Sequence, residues 1–347
     1  MNNQRIIPVD KFIENALYDS KKGYYSKKNP FGKTGDFITA PGISPLFSEM
    51  IALWIISFWE SLNKPKKFNI VELGPGDGSL TKTLLKVFKK FPEFNSVKKI
   101  YLYEKSNYLK KAQELKISDK SVKWIKDFNN IKDGPVIFFG NEFLDAIPIK
   151  QFKKENGSFY EKNYILNKNF EIKETYRKAS KINSKMLKSY LSIKDLNFIE
   201  FPKLGFQNLQ KITKRILKLG GCILLIDYGY LKPHNENTLQ SVFKHKKNKL
   251  LDNLGKADVT SHINFELLKE FFKKNNLKTK KIVTQQEFLK SNGIIERAEI
   301  LAKKMKFRDQ SDLYLRLKRL LHPKLMGNLF KVALAYKCKN KNFNGFN

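Results

Sequence analysis

The residues with chemical use gather where apolar runs end. In VELGPGDGSL, Val71 to Leu80, Gly74, Gly76 and Gly78 fall at alternate positions directly after a β-branched stretch. Glycines there let the chain turn steeply and let backbone approach a ligand at the N-terminus of the following helix. A nucleotide-like ligand is expected. In a dinucleotide fingerprint GxGxxG the third glycine would fall at Ser79, and a pyrophosphate would have to sit beside Asp77. S-adenosylmethionine has no phosphate and carries a cationic sulfonium and ammonium, so acidic Glu72 and Asp77 suit it on charge grounds. The competing reading is a glycine turn with no ligand.

Glu104 closes KIYLYE, Lys99 to Glu104. A carboxylate there accepts two hydrogen bonds from a ribose 2′,3′-diol, at the sheet edge where ligands collect. It also suits a helix cap, as does Ser106. Asp127, just past the third strand, is placed to meet an adenine amino group or to stand as a solvated loop acid. The fourth strand ends in GNEFLDAIP, Gly140 to Pro148. Asn141, Glu142 and Asp145 stand at the rim where a transferred methyl should emerge; carboxylates there can hold a cationic substrate and take its proton. Asn141 and Asp145 equally suit caps. A methyltransferase acting on exocyclic amines of nucleic acid should show Asn/Asp-Pro-Pro-aromatic at this strand end, and Pro148 comes too late. Asp227 with Tyr228, and Asp258 with His262, are further polar groups for the same cleft or for turns.

These positions need a frame of strands that end at one edge. FNIVEL (68–73), KIYLYE, SVKWI (121–125), PVIFFG (135–140), CILLIDYG (222–229), KKIVTQ (280–285) and NLFKVALAYK (328–337) are short apolar runs, with helical spacing at 80–91, 106–115, 209–219 and 265–274. The alternation implies an α/β fold whose parallel sheet is covered on both faces. Residues 1–64 read as helix, loop, helix, and the Gly/Pro-rich Gly32 to Pro45 suits a ligand lid. Residues 65–340 form the main domain, with insertions at about 150–200 and 231–262. The first insertion opens with a hairpin signal, Asn156-Gly157 within alternating residues.

The 347 residues carry 67 Lys and Arg against 33 Asp and Glu, a net +34, with 41% hydrophobic residues. That apolar content excludes a disordered chain. The charge points to an anionic partner such as nucleic acid, yet only seven of the basic residues are Arg and the Lys are scattered, as on a solvated surface. Cys222 and Cys338 show no metal or redox spacing, so a reduced compartment is expected. The longest apolar run, Met50 to Trp59, is too short to span a bilayer. With no presequence pattern in MNNQRIIPVDKF, a cytoplasmic location is expected.

GDFITAPGISPLFSE (Gly35 to Glu49), VELGPGDGSL, NEFLDAIP and KADVTSHINF, in that order, resemble the MidA family of class I S-adenosylmethionine-dependent methyltransferases. TLQSVFKHK (238–246), QQEFLKSNGI (285–294) and GNLFKVALA (327–335) are similar to family segments too. The resemblance implies a Rossmann-like, seven-stranded, mostly parallel sheet with an N-terminal helical region and inserted excursions, and S-adenosyl-L-methionine as cofactor. It maps the cofactor loop to Gly74, Gly76 and Gly78, and an N-terminal signature to Gly35, Asp36, Phe37 and Thr39. Through its mitochondrial members it implies methylation of arginine in a partner protein, a subunit of respiratory NADH dehydrogenase. Glu142 and Asp145, with Asn141, are then the expected catalytic groups, and Glu72, Glu104 and Asp127 complete the expected cofactor set. The alternatives are an RNA or small-molecule methyltransferase and a cofactor-binding assembly chaperone without turnover.

Overall fold

The computed structural model describes residues 5–27, 30, 32, 35–36, 38–166 and 172–346. After β1 (Arg5–Pro8) come β2 (Phe68–Leu73), β3 (Lys98–Tyr103), β4 (Val122–Trp124) and β5 (Val136–Asn141), where the apolar runs predict them. They are followed by β6 (Lys150–Glu155), β7 (Ser158–Leu166), β8 (Ile172–Lys178), β9 (Phe198–Phe201) and β10 (Gly221–Tyr230). The remaining strands are β11 (Gln240–Phe243), β12 (Lys246–Asn248), β13 (Asp258–Thr260), β14 (Ile263–Asn264), β15 (Lys278–Thr279), β16 (Val283–Thr284) and β17 (Phe330–Lys337).

The central sheet runs β15-β17-β10-β5-β2-β3-β4, with β14 and β16 pairing off that path. From β10 to β4 all neighbours are parallel, while β17 is antiparallel to both β10 and β15. Alternate side chains of each strand feed two cores. Ile70, Ile137, Phe139 and Leu224 face one with helices Pro45–Ser61 and Ser79–Phe88; Val71, Phe138, Ile223 and Leu225 face the other with helices Lys203–Leu219 and Phe265–Lys274. Burial on both faces is why these strands read as unbroken apolar runs. Because they are parallel, their carboxyl ends share one edge, which brings residues 72–78, 104, 141–145 and 227–228 together.

A second sheet, β1-β7-β6-β9 with β8 against β7, stands beside the first. Its hairpin turns at Asn156 and Gly157, both with positive φ, 46° and 74°, as a primed turn requires. The start of the chain is therefore more than helix, loop, helix: β1 pairs with β7 and ties residues 5–8 to the first insertion. The second insertion forms a third sheet, β12-β11-β13, whose strands of three or four residues are too short to display a period. The strand expected at 280–285 shrinks to two-residue β16. Beyond it lie three helices the periodicity reading did not place, Gln285–Ser291, Ile294–Ala302 and Phe307–Leu321.

Candidate active site

At the end of β2 the chain takes three left-handed steps: φ is 63° at Gly74, 57° at Gly76 and 78° at Gly78, a region that residues with a Cβ avoid. A Cβ on Gly74 would also lie 3.1 Å from the Phe143 ring. Charges on this side are answered within the protein. Asp77 accepts from the Ser79 N–H at 3.0 Å and pairs with Lys116. That corrects the charge argument drawn from the sequence, because Lys116 cancels Asp77 from the helix Asn107–Ile117. Glu72 is buried and takes the Thr81 hydroxyl; loss of water pushes its carboxyl up to about 8. Glu104 accepts from the Ser106 N–H at 2.7 Å and from Gln113 Nε2 at 3.0 Å, and burial raises it too. Gln113 also donates to the Gly76 carbonyl at 2.8 Å and accepts from Trp124 Nε1 at 2.9 Å. One amide thus fixes the loop, Glu104 and β4 relative to one another.

The wall formed by the end of β5 differs. Glu142 has φ 52°, a left-handed conformation that costs a glutamate strain energy, and its N–H is held by the Ile226 carbonyl at 2.9 Å. Asn141 Nδ2 donates to Glu142 Oε1 at 3.0 Å, and the Ala40 N–H favours the ionised form of the same carboxyl. Tyr228 donates to Asp145 at 2.7 Å, and Tyr25 to Asp258 at 3.2 Å. Asn141 Oδ1 and Asp145 Oδ1 are buried without a hydrogen-bond partner, the kind of vacancy native structures seldom leave unused. Burial first, then the neighbouring Asp145 charge, pushes Glu142 up to about 8; burial lifts Asp145 to about 6; burial with Asp145 lifts Asp258 to about 7. Asp227, raised by burial and then by the Asp145 charge, accepts the Leu144 and Asp145 N–H groups at 2.9 and 3.3 Å, so it shapes the turn behind Glu142.

Between the two walls lies a cavity of about 200 Å³ lined by Glu72, Gly74, Gly76, Asp77, Asn141, Glu142, Asp145 and Asp258, with Tyr25, Thr39, Tyr228 and Thr260. A neighbouring cavity of about 120 Å³ shares Tyr25, Gly74, Gly76 and Glu142 with it and adds Tyr103 and Glu104. No Lys or Arg lines the larger one among the described residues.

Most of the predicted site residues therefore meet. Four do not line either cavity. Asp127 is exposed and caps a short turn, accepting from the Asn129 N–H at 2.9 Å. Gly78 packs toward Ile117. Asp36 is buried and accepts from the Tyr24 hydroxyl at 2.7 Å and the Lys244 N–H at 2.9 Å, so it ties the N-terminal region to the second insertion. Gly35, beside it, takes part in the Gly32 turn, and Phe37 lies outside the described residues. Of the pair in ADVTSHINF, Asp258 lines the cavity, whereas His262 stacks edge-on against Tyr228 outside it. Sequence reading missed Tyr25, Thr260 and Gln113: the Tyr25 to Asp258 contact spans 233 residues, and no spacing rule reaches that far.

The sequence-family model described as "Putative S-adenosyl-L-methionine-dependent methyltransferase" matches residues 50–283. The chain belongs to that family. It is an S-adenosylmethionine-dependent methyltransferase. Among its relatives, the Xenopus tropicalis protein named "Protein arginine methyltransferase NDUFAF7, mitochondrial" is 29% identical over 324 residues, 86% of this chain and 74% of the relative. The human protein of that name is 26% identical over 93% of this chain and 78% of its own. A crystal structure of a COG1565 superfamily member from Burkholderia thailandensis, bound to S-adenosyl-homocysteine, superimposes with a TM-score of 0.83 at 20% identity, covering 98% of this chain and 90% of that one. The fold is accordingly the class I methyltransferase fold. The expected cytoplasmic location does not stand, because these relatives are mitochondrial by name. The make-up of the first dozen residues was too thin a basis for a compartment.

Proposed function

We propose that this chain methylates arginine in a partner protein, with Glu142 and Asp145 as the groups that hold the guanidinium. The observation that carries this reading is an acidic cavity in a basic chain: Glu72, Glu142, Asp145 and Asp258 line it beside the Lys116-paired Asp77, and no Lys or Arg is among its lining residues that the structure describes, although the net charge is +34. Such a lining selects a cation. The names of the relatives supply arginine as the cation. The finer expectation, a subunit of respiratory NADH dehydrogenase as acceptor, rests on the resemblance of the sequence motifs to the family.

Residues present fit the cofactor. The backbone of Gly74 to Gly78 and Glu72 would hold its methionine end, and Glu104 its ribose diol, since each Glu104 oxygen has a lone pair to spare. S-adenosylmethionine, when bound, supplies a methyl already activated on sulfur, leaving the protein to align, to exclude water and to take a proton, alignment alone being worth roughly 7–11 kcal/mol. Glu142, whose carboxyl burial pushes up to about 8, ionises when a guanidinium lies against it, because an opposite charge favours the carboxylate. Held by Asn141, it orients one guanidinium nitrogen and accepts the proton that nitrogen loses. Asp145, held by Tyr228, offers its unpartnered Oδ1 to a second nitrogen. Thr39 and Pro41 close the cavity on the lid side.

The test is transfer of radiolabelled methyl from S-adenosylmethionine into lysate of a strain lacking the gene, followed by acid hydrolysis. Label in methylarginine from a protease-sensitive band is the expected result. Label in nuclease-sensitive material, or cofactor binding without any transfer, would replace this reading with an RNA enzyme or a chaperone.

A further inference from the structure

Beyond the cleft, the helix Phe307–Leu321 is apolar on two sides. Its inner side buries Leu313, Leu317, Leu320 and Leu321. Its outer side should be polar in a helix that only packs inward. Instead Phe307 is 84% exposed, Leu315 66% and Tyr314 45%. At 100° per residue, positions 307, 314, 315 and 318 fall within about a quarter-turn, so these side chains form one outward stripe with Lys318. Arg308 and Arg319, both exposed, flank Leu315 two turns before it and one turn after it. Lys303, Lys304 and Lys306 lie exposed just before the helix, and Lys324 just after it. Against these, the helix shows Asp309 and Asp312, and Asp312 is already paired with Arg316 at 2.7 Å.

We propose that this face docks on an anionic phospholipid surface. A short helix with large apolar residues ringed by Lys and Arg is suited to lie in the plane of a lipid headgroup layer, apolar side chains inserted and basic ones on the phosphates. Charge decides against a second copy of this chain as occupant, since two such faces would bring their basic rims together. The site also has a line to the cleft. Arg316 on this helix donates to the Ile43 carbonyl at 3.4 Å, at the end of the short helix Ala40–Ile43, whose first N–H favours the ionised Glu142 carboxyl. A membrane-docked enzyme would thus have its lid braced from behind by the docked helix.

Flotation with phosphatidylcholine vesicles, with and without phosphatidylglycerol, tests this on the full chain. Binding is expected only to the vesicles containing phosphatidylglycerol. It should weaken about tenfold in Leu315→Asp and in Phe307→Asp, each losing one inserted side chain, and comparably in the Arg308→Glu Arg319→Glu double variant. Lys185→Glu Lys188→Glu, on another helix, should stay within about twofold of the parent chain, which separates docking from bulk attraction by a basic protein. Melting curves and S-adenosyl-homocysteine affinity should be unchanged in all four, since every altered side chain is exposed. The proposal is overturned if vesicles do not bind, if binding follows total charge and ignores Leu315→Asp, or if sedimentation shows a dimer that Leu315→Asp splits.

Discussion

The two walls of the cleft are built on opposite principles. On the glycine wall every charged group named above is answered inside the protein: Asp77 by Lys116 and Ser79, Glu72 by Thr81, Glu104 by Ser106 and Gln113. Its special backbone angles fall on glycines, which adopt them at little cost. On the β5 wall the left-handed residue is a glutamate and two buried oxygens lack partners, while burial raises carboxyls on both walls. The first wall meets its hydrogen bonds largely from within, whereas the second keeps two acceptors free for donors such as those of the proposed guanidinium. Strain and unmet hydrogen bonds mark the place where stability gives way to chemistry.

If that division holds, damage to each wall should have a different signature. The largest effect is expected from Gly74→Val, where a β-branched side chain must enter a left-handed turn against Phe143. S-adenosyl-homocysteine binding should disappear in calorimetry while the circular dichroism spectrum is retained; residual binding near the parent affinity would mean that the loop does not touch the cofactor. A smaller effect is expected from Tyr228→Phe, which removes one hydrogen bond to Asp145. The rate constant kcat should fall about tenfold, and the acidic limb of its pH profile should shift upward, because the tyrosine hydroxyl stabilises the ionised form of Asp145. A fall in kcat with no movement of that limb would assign Tyr228 to packing alone.

The unsatisfied wall should also appear in stability without any ligand. Folding raises Glu142 from 4.5 to about 8 and so favours its neutral form. The stability this form allows is fully present below pH 4.5 and is lost as pH rises through 8. Glu142→Gln cannot ionise, so its melting temperature should gain on the parent between those limits; a constant difference would show that Glu142 is already charged. The smallest effect is expected from Asp127→Ala, which touches neither wall. Cofactor affinity should stay within about twofold, and a larger drop would restore Asp127 to the adenine site.

The difference between the walls also explains what could be read from the sequence. β2, β3, β5, β10 and β17 are buried on both faces, so they stand out as apolar runs, and the glycine loop follows one of them within a few residues. Glu142 and Asp145 were legible because they share a strand end. Asp227 could not be separated from them until its carboxylate was seen gripping the Leu144 and Asp145 amides. Tyr25 and Asp258 come from the N-terminal region and the second insertion, and they meet only because the whole chain folds between them. The helices at 285–321 carried a local signal that went unused, the reciprocal cap between Thr284 and Glu287.

The most direct test of the central claim is Glu142→Gln assayed twice, for S-adenosyl-homocysteine affinity by calorimetry and for methyl transfer into the protein acceptor. Affinity within a few-fold of the parent, with transfer reduced about a hundredfold or more, is the predicted result. Equal loss of both would contradict the account, since it would place Glu142 on the cofactor wall and leave the acidic lining without its role.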